Sequence, residues 1–357
     1  MKTPPTTESI LRKSLWSLLV LSLAIGIGVW VFWGDSVDDL IAQMDPSKFA
    51  IALLLLSLGL PTVAMRWRSL LAPEEKRNSN PLFMTALLMV GHLLNTAVPG
   101  PVGEFVSSWV LHKRYKVDLG NALSALLVSR VLGLLSAFLI ACVVFWLAPF
   151  DVAPEYIEKL WVVSLLLGVL GAGVSLVVLF PAQPRRILKY MRRFSIFHRG
   201  FFQRLFDMAD RLLGSFLDTT KRGFWAYSSA FFWCVLGHSM VAMGIWYTVQ
   251  ALGYDVGWTA IFFTYSSSII FSLVMFMFPG STFGFDALFS GILHMTGGIP
   301  LAVAILVASV IRFHQSLIAV IGGAMMLFSS KELIEEAMVF GRSYVKVDDV
   351  DDVDNVR

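Results

Sequence analysis

Four charged side chains stand inside apolar runs of this chain: Glu104, Arg130, Asp286 and Arg312. A charge at the centre of a membrane helix costs roughly 2.5–3.5 kcal/mol on insertion scales, so such a residue is read first as functional. They come as one acid at each of two Pro-Gly interruptions and one arginine on the apolar run that follows each. A guanidinium fork meets phosphate with two parallel hydrogen bonds, where lysine offers a point charge. Arg130 and Arg312 are therefore expected to bind a phosphate. Glu104 and Asp286 would hold those arginines when the site is empty, or bind a proton or a cationic headgroup. The alternative is a pair of structural salt bridges that only pin the interruptions. Buried ion pairs are a poor way to gain stability, which favours the functional expectation.

His92 and His238 also lie in apolar stretches, and His314 follows Arg312 by two residues. Together they are candidates for a proton relay, against the commoner core histidine bonded to a carbonyl. Asn95, just before the first interruption, either caps freed backbone groups or touches ligand. The helix breaks are assigned to Pro99, Gly100 and Gly103, and to Pro279, Gly280 and Gly284. Cys142 and Cys234 are far apart and form neither a disulfide framework nor a zinc pattern, so no metal is expected. GxxxxGK[ST], HExxH and GxSxG are absent. The chain is expected to be no enzyme, to carry no cofactor and to bind no nucleic acid.

The elements that must position these residues are set by composition. Of 357 residues, 57% are hydrophobic and 15% charged, with a mean hydropathy of +0.72; a soluble domain keeps about 25% charged. This is the composition of an all-α polytopic membrane protein. Spans need about 20 apolar residues, which predicts six: 14–33, 49–65, 120–148, 160–181, 224–250 and 300–329. The first ends in Trp-Val-Phe-Trp, with no small-residue cleavage pattern, and so reads as a span and not a signal peptide. With the N-terminus inside, 24 of the 28 basic residues, Arg66 among them, fall on cytoplasmic segments, as the positive-inside bias requires. Both termini are then cytoplasmic, in the cytoplasmic (inner) membrane of the cell. Tryptophans near predicted helix ends, Trp67, Trp146, Trp161, Trp225 and Trp258 among them, suit the headgroup level.

Parity decides the two interrupted segments. Segment 81–111 has basic residues on both sides, and 258–297 must begin and end outside, so each is expected to enter and return as a re-entrant helical hairpin. The two dip from opposite faces. Broken backbone at membrane depth is tolerated only where it is buried in protein or lines a wet cavity. After the interruptions come LGNALSALLVSR (119–130) and LAVAILVASVIR (301–312), which share Leu119/Leu301, Ala122/Ala304, Val128/Val310 and Arg130/Arg312 without gaps. Units 81–148 and 258–329 thus read as an inverted-topology repeat, an architecture that binds substrate near the midplane at discontinuous helices. Residues 1–330 form one transmembrane domain. Segment 182–223 mixes ten basic residues with Phe and Leu at helical spacing and is expected to lie on anionic lipid of the inner leaflet, or to dock a cytoplasmic partner. Residues 331–357 are a cytoplasmic tail with a disordered acidic end.

Arg66-Trp67, then N-x-x-x-PG-x-x-GE (Asn95, Pro99, Gly100, Gly103, Glu104), then an arginine-centred helix, is similar to the membrane region of lysylphosphatidylglycerol synthases and the stand-alone YbhN-like family. A second break followed by an arginine and a Gly-Gly end also fits that pattern. The resemblance covers roughly residues 10–330 and implies a lipid flippase. The sequence departs from the pattern at Ser129-Arg130, where Glu-Arg is usual, at PGSTFGFD, where PGG-x-G-x-x-E is usual, and in having no soluble aminoacyl transferase domain. The reading is a flippase or translocase for a phosphate-bearing lipid, anionic or aminoacylated or glycosylated. Its alternatives are an ion-coupled carrier of a small anion and a non-transporting subunit that docks a glycosyltransferase or synthase through 182–223. Oligomeric state is not legible.

Overall fold

In the computed structural model the described residues are 42–97, 102–147, 154–179, 182–191, 221–275 and 281–347, together with Asp210, Leu213, Gly214 and Leu217. Their regular structure is helical throughout, because backbone groups in a bilayer must be satisfied within their own segment. In chain order the helices are α1 (Pro46–Ser69), α2 (Pro73–Asn78), α3 (Pro81–Ala97), α4 (Val102–Tyr115), α5 (Leu119–Leu147), α6 (Pro154–Leu179), α7 (Ala182–Met191), α8 (Phe224–Ala251), α9 (Trp258–Met275), α10 (Ser281–Gly297) and α11 (Leu301–Val347). Starts follow local rules. Asp45 accepts the N–H groups of Ser47 at 2.9 Å and Lys48 at 3.1 Å, and Asn80 does the same for Leu82 at 2.8 Å, each ahead of a proline at the first helical position.

Five helices, α1, α5, α6, α8 and α11, are long and apolar enough to cross a membrane. They match five of the six expected spans; 14–33 lies outside the described residues. The interrupted segments are helix pairs, α3 with α4 and α9 with α10. Their junctions, 98–101 and 276–280, lie outside the described residues, and with them Pro99, Gly100, Pro279 and Gly280. Gly103 and Gly284 are not breaks. They sit in the first turns of α4 and α10, where glycine can follow helical geometry like any other residue. The close approach here belongs to Gly91 of α3, where a Cβ would stand 2.7 Å from Ser107 Oγ and 3.1 Å from the Gly103 carbonyl oxygen.

The most extensive contact joins α1 and α8. Ala52 and Gly59 on one, Gly237 and Gly244 on the other, recur at the same seven-residue spacing. The helices run antiparallel, with the Asp45 N–H donating to the Ala251 carbonyl at 2.9 Å. A Cβ on Gly59 would lie 2.6 Å from Val241, and one on Gly244 2.8 Å from Leu56. Small residues on one stripe let the backbones close in where apolar burial gives no drive. Pro61 interrupts the α1 ladder in the same region, freeing a backbone carbonyl one turn earlier.

The helix pairs are exchanged between units. α3 packs on α11, with Gly322 against Met89, and α9 packs on α5. One core gathers Trp67, Met84, Leu87, Leu111 and Leu126; a second gathers Ile261, Phe289, Leu293 and Val307.

Two further expectations need correction. Trp67 is fully buried and donates its indole N–H to the Ala122 carbonyl at 2.9 Å, so it is a core residue. Trp146, Trp161, Trp225 and Trp258 are exposed, as the headgroup level asks. The Gly322-Gly323 pair does not end a helix, because α11 runs through it to Val347. The tail from 331 therefore starts helical, and 348–357 lies outside the described residues. Of the basic segment 182–223, α7 carries exposed Ile187 and Tyr190, and Arg185 pairs with Asp210 at 2.8 Å.

Candidate functional site

Each acid meets the arginine of its own unit. Glu104, in the first turn of α4, forms an ion pair with Arg130 of α5. Asp286, in the second turn of α10, takes Arg312 of α11 in a fork, Nη2 to Oδ1 at 2.7 Å and Nε to Oδ2 at 3.2 Å. The third nitrogen, Nη1, donates to Gln315 Oε1 at 3.2 Å, and the guanidinium lies 5.7 Å from the Phe285 ring centroid. Acid and arginine are 26 residues apart in both units. The two pairs differ in how open they are. Glu104 is sealed at 2% exposure while the Arg130 side chain is 45% exposed; Arg312 and Asp286 are 13% and 21%. Arg130 is thus the more open of the two paired arginines.

The repetition extends beyond the charges. Glu104, Ser108, His112, Val117 and Arg130 recur as Asp286, Ser290, His294, Ile299 and Arg312, each 182 residues on. His112 Nδ1–H donates to the Val117 carbonyl at 2.7 Å, and His294 Nδ1–H to that of Ile299 at 2.7 Å. Between them the backbone turns through left-handed φ at Lys116 (58°) and at Gly298 (63°), the usual close of a helix. His294 then accepts from the Tyr156 hydroxyl at 3.1 Å.

The three relay candidates line two adjoining cavities. His92, exposed to one of about 170 Å³, shares it with His314, Gln315, Tyr265 and apolar side chains of α1, α3 and α11. It stands within electrostatic reach of both Arg130 and Arg312. His314 is buried, and its Nε2 meets Ser57 Oγ at 3.0 Å. Ser57 has already given its proton to the Leu53 carbonyl at 2.7 Å, so His314 is the donor. His238 lines the other cavity and donates Nε2–H to the Gly133 carbonyl at 3.0 Å, the satisfied core arrangement weighed for it. Asn95 lies on α3, its side chain outside the described set. Among the described residues no His, Cys, Asp and Glu group could hold a metal ion.

Sequence reasoning missed Arg66, Tyr265 and Gln315. Arg66, assigned to a cytoplasmic flank, turns inward from the last turns of α1: its guanidinium reaches Gly133, about four turns into α5. A sequence signal existed, since Arg66 lies within the apolar run VAMRW. Its distance of three residues from the helix end hid it.

Comparison with known proteins gives a family. A family model described as the lysylphosphatidylglycerol synthase TM region matches residues 15–323. No curated protein and no solved structure matches the chain.

Proposed function

Because the chain belongs to the lysylphosphatidylglycerol synthase TM region family, we propose that it carries a phosphate-bearing lipid between membrane leaflets and makes or breaks no bond. The observation that supports this best is the doubled ion pair, Glu104–Arg130 and Asp286–Arg312, at one spacing in two units. In this reading the units form an inverted repeat whose helix pairs α3–α4 and α9–α10 are re-entrant and dip from opposite faces. Each unit then offers a guanidinium to its own side. An incoming phosphate competes with the carboxylate for the fork, so capture at one arginine frees an acid, and release restores the pair. The freed acid is then left without a counter-charge, which is costly for a buried carboxylate and favours release of the phosphate. The basic segment 182–223 rests on anionic inner-leaflet lipid, with both termini cytoplasmic.

The test is leaflet exchange of labelled anionic and zwitterionic lipids in proteoliposomes. Exchange should favour the anionic lipid and fall at least tenfold in Arg130→Ala/Arg312→Ala. Unchanged exchange in that variant would return the four charges to structural pairs.

A further inference from the structure

Arg66 differs from Arg130 and Arg312 in one respect: among the described residues, no carboxylate pairs with it. Its Nη1 has the weak acceptor Cys234 Sγ at 3.9 Å, and its Nε is buried with no hydrogen-bond partner. A guanidinium does not escape burial by losing its proton, so the positive charge remains and wants a counter-charge. What faces it is space. A cavity of about 60 Å³ is lined by Arg66, Thr62, His238 and Tyr265 with Trp233 and Cys234. One water needs about 10–15 Å³ on this measure, so the cavity has the scale of an oxyanion with five heavy atoms. It adjoins the larger, mostly apolar cavity, and the two share Gly59, Val63, Val241 and Tyr265. A charged end beside an apolar room is the shape of a headgroup and the first carbons of its chains.

We infer that the Arg66 cavity is an anion site that takes one phosphate group, with the Arg66 fork as its main donor and the Tyr265 hydroxyl at its rim. The phosphate comes from a lipid phosphodiester or from free phosphate. The lipid source rests on the carrier reading above and deepens it: phosphate docks at Arg66, which needs no carboxylate displaced, before passing to Arg130, within its electrostatic reach.

The test is equilibrium binding of ³²P-labelled inorganic phosphate and of ³²P-labelled dihexanoyl phosphatidylglycerol to the purified full chain in phosphate-free maltoside. Saturable binding of about one per chain is expected, weakened at least tenfold in Arg66→Gln. Phosphate binding that the lipid does not match assigns the site to the free anion, whereas lipid binding that phosphate does not match assigns it to the headgroup. Gly133→Ala gives an independent arm, because its new Cβ would crowd Arg66 Nη1 and push the guanidinium aside; it should weaken binding likewise. No saturable binding of either probe, or binding that survives both variants, overturns the site. Detergent holds no leaflets, so binding without exchange in proteoliposomes would sink the carrier reading alone, and exchange with no binding here would sink this inference alone.

Discussion

At the residue scale the three inward arginines should behave differently when neutralised. Arg312→Gln leaves Asp286 without its fork. A fully buried pair broken this way costs about 3–5 kcal/mol, and partial exposure of Asp286 and Arg312 lowers the expected loss to about 2–3 kcal/mol. Arg66→Gln removes a cation that has no carboxylate partner among the described residues, so in phosphate-free detergent it should leave stability unchanged or higher. Unfolding curves of the two variants in maltoside read the contrast, and equal losses would mean that Arg66 has a counter-charge after all. Glu104, Arg130, Asp286 and Arg312 were legible in the sequence because a charge inside an apolar run needs a partner, functional or structural. Arg66 was not, since a basic residue near a helix end is ordinarily a flank that snorkels to the headgroups. Only the fold shows its side chain turned the other way. Trp67 was misread for the same reason: position along a helix fixes depth, but not the face on which a side chain lies.

At the element scale, glycines that look alike in sequence should respond differently to bulk. Gly59→Leu or Gly244→Leu overpacks the α1–α8 stripe and should cost about 1–3 kcal/mol or more. Gly168→Leu and Gly173→Leu on α6, where an added Cβ meets nothing within 4 Å, should stay within about 0.5 kcal/mol. Thermal unfolding in detergent separates the two classes. The paired turns offer a gain as well. Lys116 holds the left-handed conformation that its counterpart fills with Gly298, and a non-glycine residue there is disfavoured by about 1 kcal/mol. Lys116→Gly should therefore raise stability by up to about that much, read in the same assay. Five span positions were legible from apolar length alone, because membrane thickness fixes it. Gly103 and Gly284 were assigned to breaks because glycine, unlike proline, is compatible with a helix as well as with its end. Which role it takes depends on the neighbour it must approach.

At the scale of the whole molecule, the likeness of the two proposed units was visible in sequence as four identities in twelve positions. The structure adds the left-handed turns and the exchanged packing of α3 and α9, whereas His112 and His294 were readable in sequence at the constant offset of 182 and were overlooked because the comparison stopped at the apolar helices. Opposite orientation of the two units is tested by impermeant maleimide on Cys-free protein carrying Lys76→Cys or Lys159→Cys. Lys76→Cys should label only from the inner face and Lys159→Cys only from the outer. Both labelling from one face would break the parity on which opposed hairpins depend. The length of α11 sets a last expectation. Its 47 residues cross α3 where Gly322 lies on Met89, with Arg312 about 15 Å to one side and Val347 about 37 Å to the other at 1.5 Å per residue. One unbroken helix therefore joins the Asp286–Arg312 pair to the segment beyond the last span. Whatever displaces Arg312 from Asp286 thus acts on the same continuous backbone that leaves the bilayer toward Val347.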